Sequence, residues 1–198
     1  ACEMDQIVAL AHRYGGKVLE DASHAIGGRY RGAFIGGVSK ADITVFSFHP
    51  VKIITTAEGG LAVTQDAQIA DRMRLFCNHG VTRNQAQMEG ESHGPWYYQQ
   101  IDLGYNYRMN DVQAALGLSQ LTRLDEFVAS RADFAVRYDS MIADLPLTSP
   151  WQHPDTQSAW HLYIIRLDLA RTRQGHRAVF EALRAAGIGV NLHYIPIH

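Results

Sequence analysis

Cysteine is scarce in this chain: Cys2 and Cys77 are the only two thiols, far apart and without a CxxC spacing. Neither a disulfide framework nor a zinc ribbon is suggested, and a reducing compartment, the cytoplasm, is the expectation. Long apolar runs are also missing. No stretch approaches the roughly 20 apolar residues that span a bilayer, and no basic segment followed by an apolar run stands at the start, so no membrane association is expected. An excess of positive charge is missing too. Lys and Arg number 18 against 20 Asp and Glu, a formal charge of -2, which argues against a nucleic-acid binder. Internal repeats and low-complexity segments are absent. What is left is an ordinary globular composition over 198 residues, 46% hydrophobic and 19% charged, long enough to bury a real core.

The first residue is not Met, and the last residues, IGVNLHYIPIH, read as a strand that ends in the open. A piece of a longer protein is therefore expected.

Met4, Ile7, Val8, Ala11 and Tyr14 recur at helical spacing before Gly15 and Gly16, and a short strand then ends at Glu20 and Asp21. This is a helix-to-strand step of an α/β sheet. The RGAFIGG segment reads as a hairpin; its glycines have the wrong spacing for a dinucleotide fingerprint. Residues 43–48, ITVFSF, are β-branched and aromatic, the strongest strand signal in the chain, and Pro50 ends it. A strand over 61–64, a helix over about 66–76 and a turn at His79 and Gly80 follow. Residues 83–105 lack a period and read as a long surface loop. Asn110 with Gln113 predicts a capped helix that runs to about residue 145 and bridges two units. Beyond Pro146 and Pro150 a strand over 160–167, a helix over about 174–186 and a strand over 188–194 are expected. The division expected is a larger unit over 1–125, then a linking helix and an incomplete small α+β unit over 126–198.

Four separated residues suggest one site. Lys52 follows the strongest strand, where open α/β sheets bind ligands. A lone lysine there is usually a solvated surface residue, but Val51, Ile53 and Ile54 offer apolar flanks that favour the neutral amine needed for imine formation. Asp21 ends a strand expected to be buried, and a buried carboxylate needs a partner such as a protonated ring nitrogen, or it caps the following turn. His24 lies three residues on, and the Ser47 hydroxyl can donate to a phosphate.

The blocks VLEDASHAIG, FSFHPVKIITTAEGG, LGYNYRMNDVQAALGLSQL and HYIPIH, in that order, resemble the DegT/DnrJ/EryC1/StrS sugar aminotransferases, of the aspartate-aminotransferase fold. The resemblance implies an α/β fold of type I for pyridoxal-phosphate enzymes, with part of the large domain and the start of the small one. It implies Lys52 as the Schiff-base lysine and proton shuttle, Asp21 on the pyridine nitrogen, Ser47 on the phosphate, and His24 where many members have Gln. Asn106 matches an asparagine that reaches the neighbouring subunit's cofactor, which implies a homodimer with shared sites. Arg108 and His193 lie in motifs near the substrate. Within the family, HPVKIITTAEGG and the stretch from GPWYYQQ onward are most similar to transaminases of pseudaminic acid synthesis. L-glutamate is their amino donor, and the acceptor is UDP-2-acetamido-2,6-dideoxy-β-L-arabino-hexos-4-ulose, a UDP-linked 4-keto-6-deoxy sugar.

Three rivals stand beside that expectation. The related sugar dehydratases carry His in place of the lysine, so Lys52 argues against them. A non-catalytic homologue acting as a sensor would not need both Lys52 and Asp21. A metal site finds little support among ten histidines, because His193 and His198 fall on opposite faces of a continuous strand and His49 and His79 lack ligand-spaced partners.

Overall fold

The computed structural model describes residues 2–37 and 41–196. Helix α1 (Met4–Arg13) leads through the turn at Gly15 to strand β1 (Leu19–Asp21). The short strands β2 (Arg29–Tyr30) and β3 (Ala33–Phe34) form the expected hairpin. Strand β4 (Ile43–Ser47) lies parallel to β1, and β5 (Gly60–Val63) runs antiparallel along its other side, giving the sheet order β1-β4-β5. Asp42, just before β4, ties α1 to this sheet. Its carboxylate accepts from His12 Nε2 at 2.9 Å, Lys17 Nζ at 2.9 Å and the Val18 N–H at 2.8 Å.

Side chains alternate along β4. Thr44, Phe46 and Phe48 are buried on one face, while Ile43, Val45 and Ser47 occupy the other. Phe46 and Phe48 join Ala22 and Ile54 in the core, against Ala25, Ile35, Leu124 and Phe127. Thr44, the polar member of the buried face, donates to Glu20 Oε2 at 2.8 Å, so its hydroxyl is not left unpaired.

Helix α2 (Ala67–Cys77) starts at Asp66, whose Oδ1 accepts from the Gln68 and Ile69 N–H groups. After it come β6 (Val81–Thr82) and β7 (Gln99–Gln100), which pair with each other. The stretch expected to be a loop, residues 83–105, thus contains strand β7, which pairs with β6 just before it, and a 3-10 turn at Gln85–Gln87. The expected long helix is two helices, α3 (Asp111–Leu121) and α4 (Leu124–Ile142). Asn110 and Gln113 do form the capping box. The interruption lies where the Thr122 hydroxyl donates back to the Ser119 carbonyl and Arg123 leaves helical geometry, at φ -108° and ψ 6°.

Strand β8 (Leu147–Thr148) and β9 (Thr156–Gln157) gave no signal in the sequence; β9 adds to β2 of the hairpin. Of the strand expected over 160–167, only β10 (Arg166–Leu167) forms, on β8. Arg131 of α4 instead donates to the Trp160 and His161 carbonyls and so occupies acceptors a ladder would need. Helix α5 (His176–Ala185) is as expected. Residues 188–194 form no strand, because no neighbouring strand lies alongside them among the described residues. His198, and with it the expected separation from His193, lies outside the described residues.

Candidate active site

The parallel register of β1 and β4 builds the site. Asp21 is opposite Val45, and paired residues in a parallel ladder project to the same face. Val45 and Ser47 share one face of β4, so Asp21 and Ser47 stand on the same face, away from Phe46 and Phe48, at the carboxyl ends of neighbouring strands. The chain then turns through Pro50. The Lys52 N–H donates to the His49 carbonyl at 2.9 Å, which fixes the turn that carries the lysine.

The surroundings of Lys52 and Asp21 differ from the expectation. Val51 is 62% exposed, whereas Ile53 and Ile54 turn into the core, so the three do not enclose the amine. Two adjacent apolar residues after the turn serve packing. Asp21 is exposed rather than buried, because β1 is an edge strand of the described sheet. Its Oδ1 accepts from the Ser23 N–H at 3.0 Å and the Ser23 hydroxyl at 2.5 Å. These hydrogen bonds hold the carboxyl below its ordinary range, with smaller contributions from the His24 and Lys52 charges. The same carboxylate therefore caps the turn through Oδ1 and keeps Oδ2 for something else. Ser47 Oγ accepts a long hydrogen bond from the His49 N–H at 3.4 Å, and its own proton is uncommitted among the described residues.

His24 brings in two further imidazoles. Its ring centroid is 4.3 Å from that of His161 and 6.3 Å from that of His193. Burial first, then the Lys52 and His193 charges, push the His24 imidazole below its ordinary value. His161 is pushed down to about 4, mainly by burial and then by His24 and Lys52. His161 Nδ1 and His193 Nε2 are buried with no hydrogen-bond partner among the described residues. His161 was not foreseen; its one signal is a polar side chain inside the apolar, aromatic run AWHLYII.

Asn106 and Arg108 are placed differently. Asn106 bridges to Asn78, and Arg108 Nη1 donates to Asn78 Oδ1 at 2.7 Å, so the two organise the segment after α2. No contact among the described residues links either to Asp21, Ser47 or Lys52. Among the described residues, no cluster of three or more His, Cys, Asp or Glu is arranged to hold a metal ion, and no helix is long and apolar enough to cross a membrane. A groove of about 810 Å³ lies elsewhere, between α4, the β2–β3 hairpin and residues 148–160, and has none of these site residues in its wall.

Residues 1–198 match the DegT/DnrJ/EryC1/StrS aminotransferase family. The chain belongs to that family. It is 39% identical to the spore coat polysaccharide biosynthesis protein SpsC of Bacillus subtilis, over all of this chain and 51% of that protein. Among solved structures, it resembles Helicobacter pylori PseC, an aminotransferase involved in the biosynthesis of pseudoaminic acid. That likeness has a TM-score of 0.85 and 34% identity, covering all of this chain and 50% of PseC. The PLP-form of the putative sugar aminotransferase Spr1654 from Streptococcus pneumoniae has a TM-score of 0.82 at 30% identity, covering 98% of this chain and 52% of Spr1654. The chain spans about half the length of the curated relatives it matches. These likenesses establish the expected fold, that of a type I pyridoxal-phosphate aminotransferase, and pyridoxal phosphate is the cofactor of the family.

The residues present suit that group. An ionised Asp21 with Oδ2 to spare fits a protonated ring nitrogen, the Ser47 hydroxyl proton fits a phosphate oxygen, and Lys52 makes no ion pair among the described residues. Two imidazole nitrogens of the neighbouring histidines, His161 Nδ1 and His193 Nε2, leave room in their hydrogen bonding for further polar atoms.

Proposed function

We propose that the whole protein is a pyridoxal-phosphate-dependent transaminase. It moves the amino group of L-glutamate to C4 of a UDP-linked 4-keto-6-deoxy sugar, UDP-2-acetamido-2,6-dideoxy-β-L-arabino-hexos-4-ulose, in the synthesis of pseudaminic acid or a related surface glycan. The observation that carries this reading is the shared face of Asp21 and Ser47 at the carboxyl edge of β1 and β4, with Lys52 in the next turn. The likeness to PseC, named for pseudoaminic acid synthesis, supports the choice of sugar.

Bound there, pyridoxal phosphate supplies a carbonyl that takes up the amino group and a ring that withdraws electrons from the reacting carbon. Lys52 holds the group covalently between turnovers. Once released, its Nζ removes the proton from the α-carbon of glutamate, and in the second half-reaction it delivers a proton to C4 of the sugar. The Asp21 carboxylate, kept ionised by Ser23, holds the ring nitrogen in its protonated form. Ser47 donates its hydroxyl proton to the phosphate, and His24 lies against the ring or its phenolic oxygen.

Asn106 is exposed, and in this reading it reaches the cofactor of a second subunit in a homodimer. Arg108 and His193 face the nucleotide sugar. Residues 1–125 form the cofactor-bearing unit, and 126–198 form the linking helix with part of the smaller one. The two unpaired cysteines suit the cytoplasm.

The test is to incubate the full-length protein with glutamate and a panel of UDP-4-keto sugars and to identify the aminated product by mass and NMR. An aminated altrosamine nucleotide is expected. Turnover of a different sugar alone would replace the substrate named here, and no turnover with glutamate would remove the transaminase reading.

A further inference from the structure

His161 is held in place by its backbone. Arg131 Nη1 donates to the Trp160 carbonyl at 3.1 Å and to the His161 carbonyl at 3.3 Å, and the Trp160 N–H donates to Ser158 Oγ at 3.1 Å. Trp160 itself adopts φ +50°, a left-handed conformation that turns the chain just before the histidine. The imidazole is thereby set against His24, at 4.3 Å between centroids and tilted by 55°, a packing contact rather than a hydrogen bond. Its Nδ1 is left buried and unpartnered among the described residues.

A buried polar atom without a partner is costly, and native folds keep few of them. Here two fall within one cluster, His161 Nδ1 and His193 Nε2, on either of two imidazoles that neighbour His24. The cluster is therefore completed by polar groups from beyond the described residues, and a ligand of the Lys52 site is such a group. The charge of the cluster says which kind. Burial and the nearby Lys52 keep His161 neutral at ordinary pH, and His24 is pushed the same way. A neutral imidazole offers one donor and one acceptor, which suits a hydroxyl or carbonyl oxygen. A carboxylate is held best by a cation, which this cluster does not provide at His161.

We propose that His161 is a substrate-binding residue of the Lys52 site, whose Nδ1 hydrogen-bonds a hydroxyl or carbonyl oxygen of the keto-sugar and not a carboxylate of the amino donor. The assignment rests on the transaminase reading, because that reading supplies two substrates of different chemistry. Asn at this position places a polar atom at the same distance along the side chain as Nδ1, whereas Gln reaches further and Phe offers none.

The two half-reactions of the full-length protein separate the possibilities, followed by the cofactor absorbance: the pyridoxal phosphate form mixed with glutamate alone, and the protein loaded with pyridoxamine phosphate mixed with UDP-2-acetamido-2,6-dideoxy-β-L-arabino-hexos-4-ulose alone. His161→Phe is expected to raise the half-saturating sugar concentration about tenfold, the loss of one good hydrogen bond. The glutamate half-reaction should stay within about twofold, and His161→Asn should recover most of the sugar affinity. Equal losses in both half-reactions, or no loss in either, overturn the assignment. Should His161→Phe fail to fold, His161→Asn retaining affinity while His161→Gln loses it supports the proposal, and equal behaviour of the two overturns it. Failure of the parent protein to turn over the sugar counts against the transaminase reading instead, since that result precedes any change at His161.

Discussion

Asp21 lies opposite Val45 in the parallel ladder of β1 and β4, two residues before Ser47 on the same face of β4. Moving the register by one residue would turn Asp21 to the side of Phe46 and Phe48. The ladder, held by backbone hydrogen bonds, is therefore what aims the carboxylate. Ser23 then keeps it ionised by donating twice to Oδ1. Asp21→Asn preserves the shape and removes the charge, so the full-length protein should fold as before yet run the glutamate half-reaction at least about 100-fold more slowly. A rate within a few-fold of the parent would show that Asp21 is only the cap of its turn.

Lys52 differs from the other lysines in its place, in the turn after the strand that carries Ser47. Borohydride treatment of the full-length protein with bound cofactor should fix the cofactor on the Lys52 peptide, and Lys52→Ala should abolish that label. Lys52→Arg keeps the positive charge without a nucleophilic amine, so it should fail equally. Labelling that survives in Lys52→Arg would move the covalent site elsewhere.

The placement of Asp21, Ser47 and Lys52 together was legible because its signals are local. The β-branched run before Pro50 marks β4, and the order of Asp21, Ser47 and Lys52 around it marks the ligand edge. The surroundings of those residues were less legible. Whether Val51 or Ile53 covers the amine depends on how a turn rotates, and whether Asp21 is buried depends on what lies beyond the β1 edge. The break between α3 and α4 falls at Thr122 and Arg123, neither of which forbids a helix, so periodicity passed through it. His161, marked only by its polarity within an apolar run, was missed for a different reason. Its contact with His24 joins distant parts of the chain and leaves no period in either.

Gly80 and Gly104 meet backbone to backbone, which sets the segment that bears Asn106 against the end of α2. A Cβ on Gly104 would lie 1.9 Å from the Gly80 nitrogen and 2.2 Å from the His79 carbonyl carbon. The strands on both sides would have to separate. Gly104→Ala should therefore destabilise the protein by about 1–3 kcal/mol, read from urea unfolding, and loosen the Asn78–Asn106 bridge. Gly189→Ala is the matched control, since nothing lies within 4 Å of its Cβ position, and should change stability by less than about 0.5 kcal/mol. Equal effects of the two substitutions would dismiss the close approach.

Acid should weaken the fold through the histidine cluster before it reaches the carboxylates. His161 titrates at about 4 in the folded protein against an ordinary value of 6.5, because burial, His24, Lys52, Arg131 and His193 all oppose its charge. His24 is lowered in the same direction, with Asp21 opposing the shift. A histidine that binds its proton more weakly when folded favours the folded state above its unfolded value. As the pH drops from about 6.5 to about 4 the unfolded chain takes up protons first, so stability falls across that window. Depressed aspartates such as Asp21 lose their contribution below their ordinary value of 3.8, and the exposed Glu126 below its ordinary 4.5, so both come into play at or under the lower end of the range measured. Urea unfolding at a series of pH values should show a decline between pH 6.5 and 4.5 equivalent to the uptake of up to about two protons. His161→Asn should flatten it, because one of the two imidazoles is then gone. A parent curve that stays level to pH 4.5, or a variant that declines as steeply as the parent, would mean that the cluster accepts charge without cost.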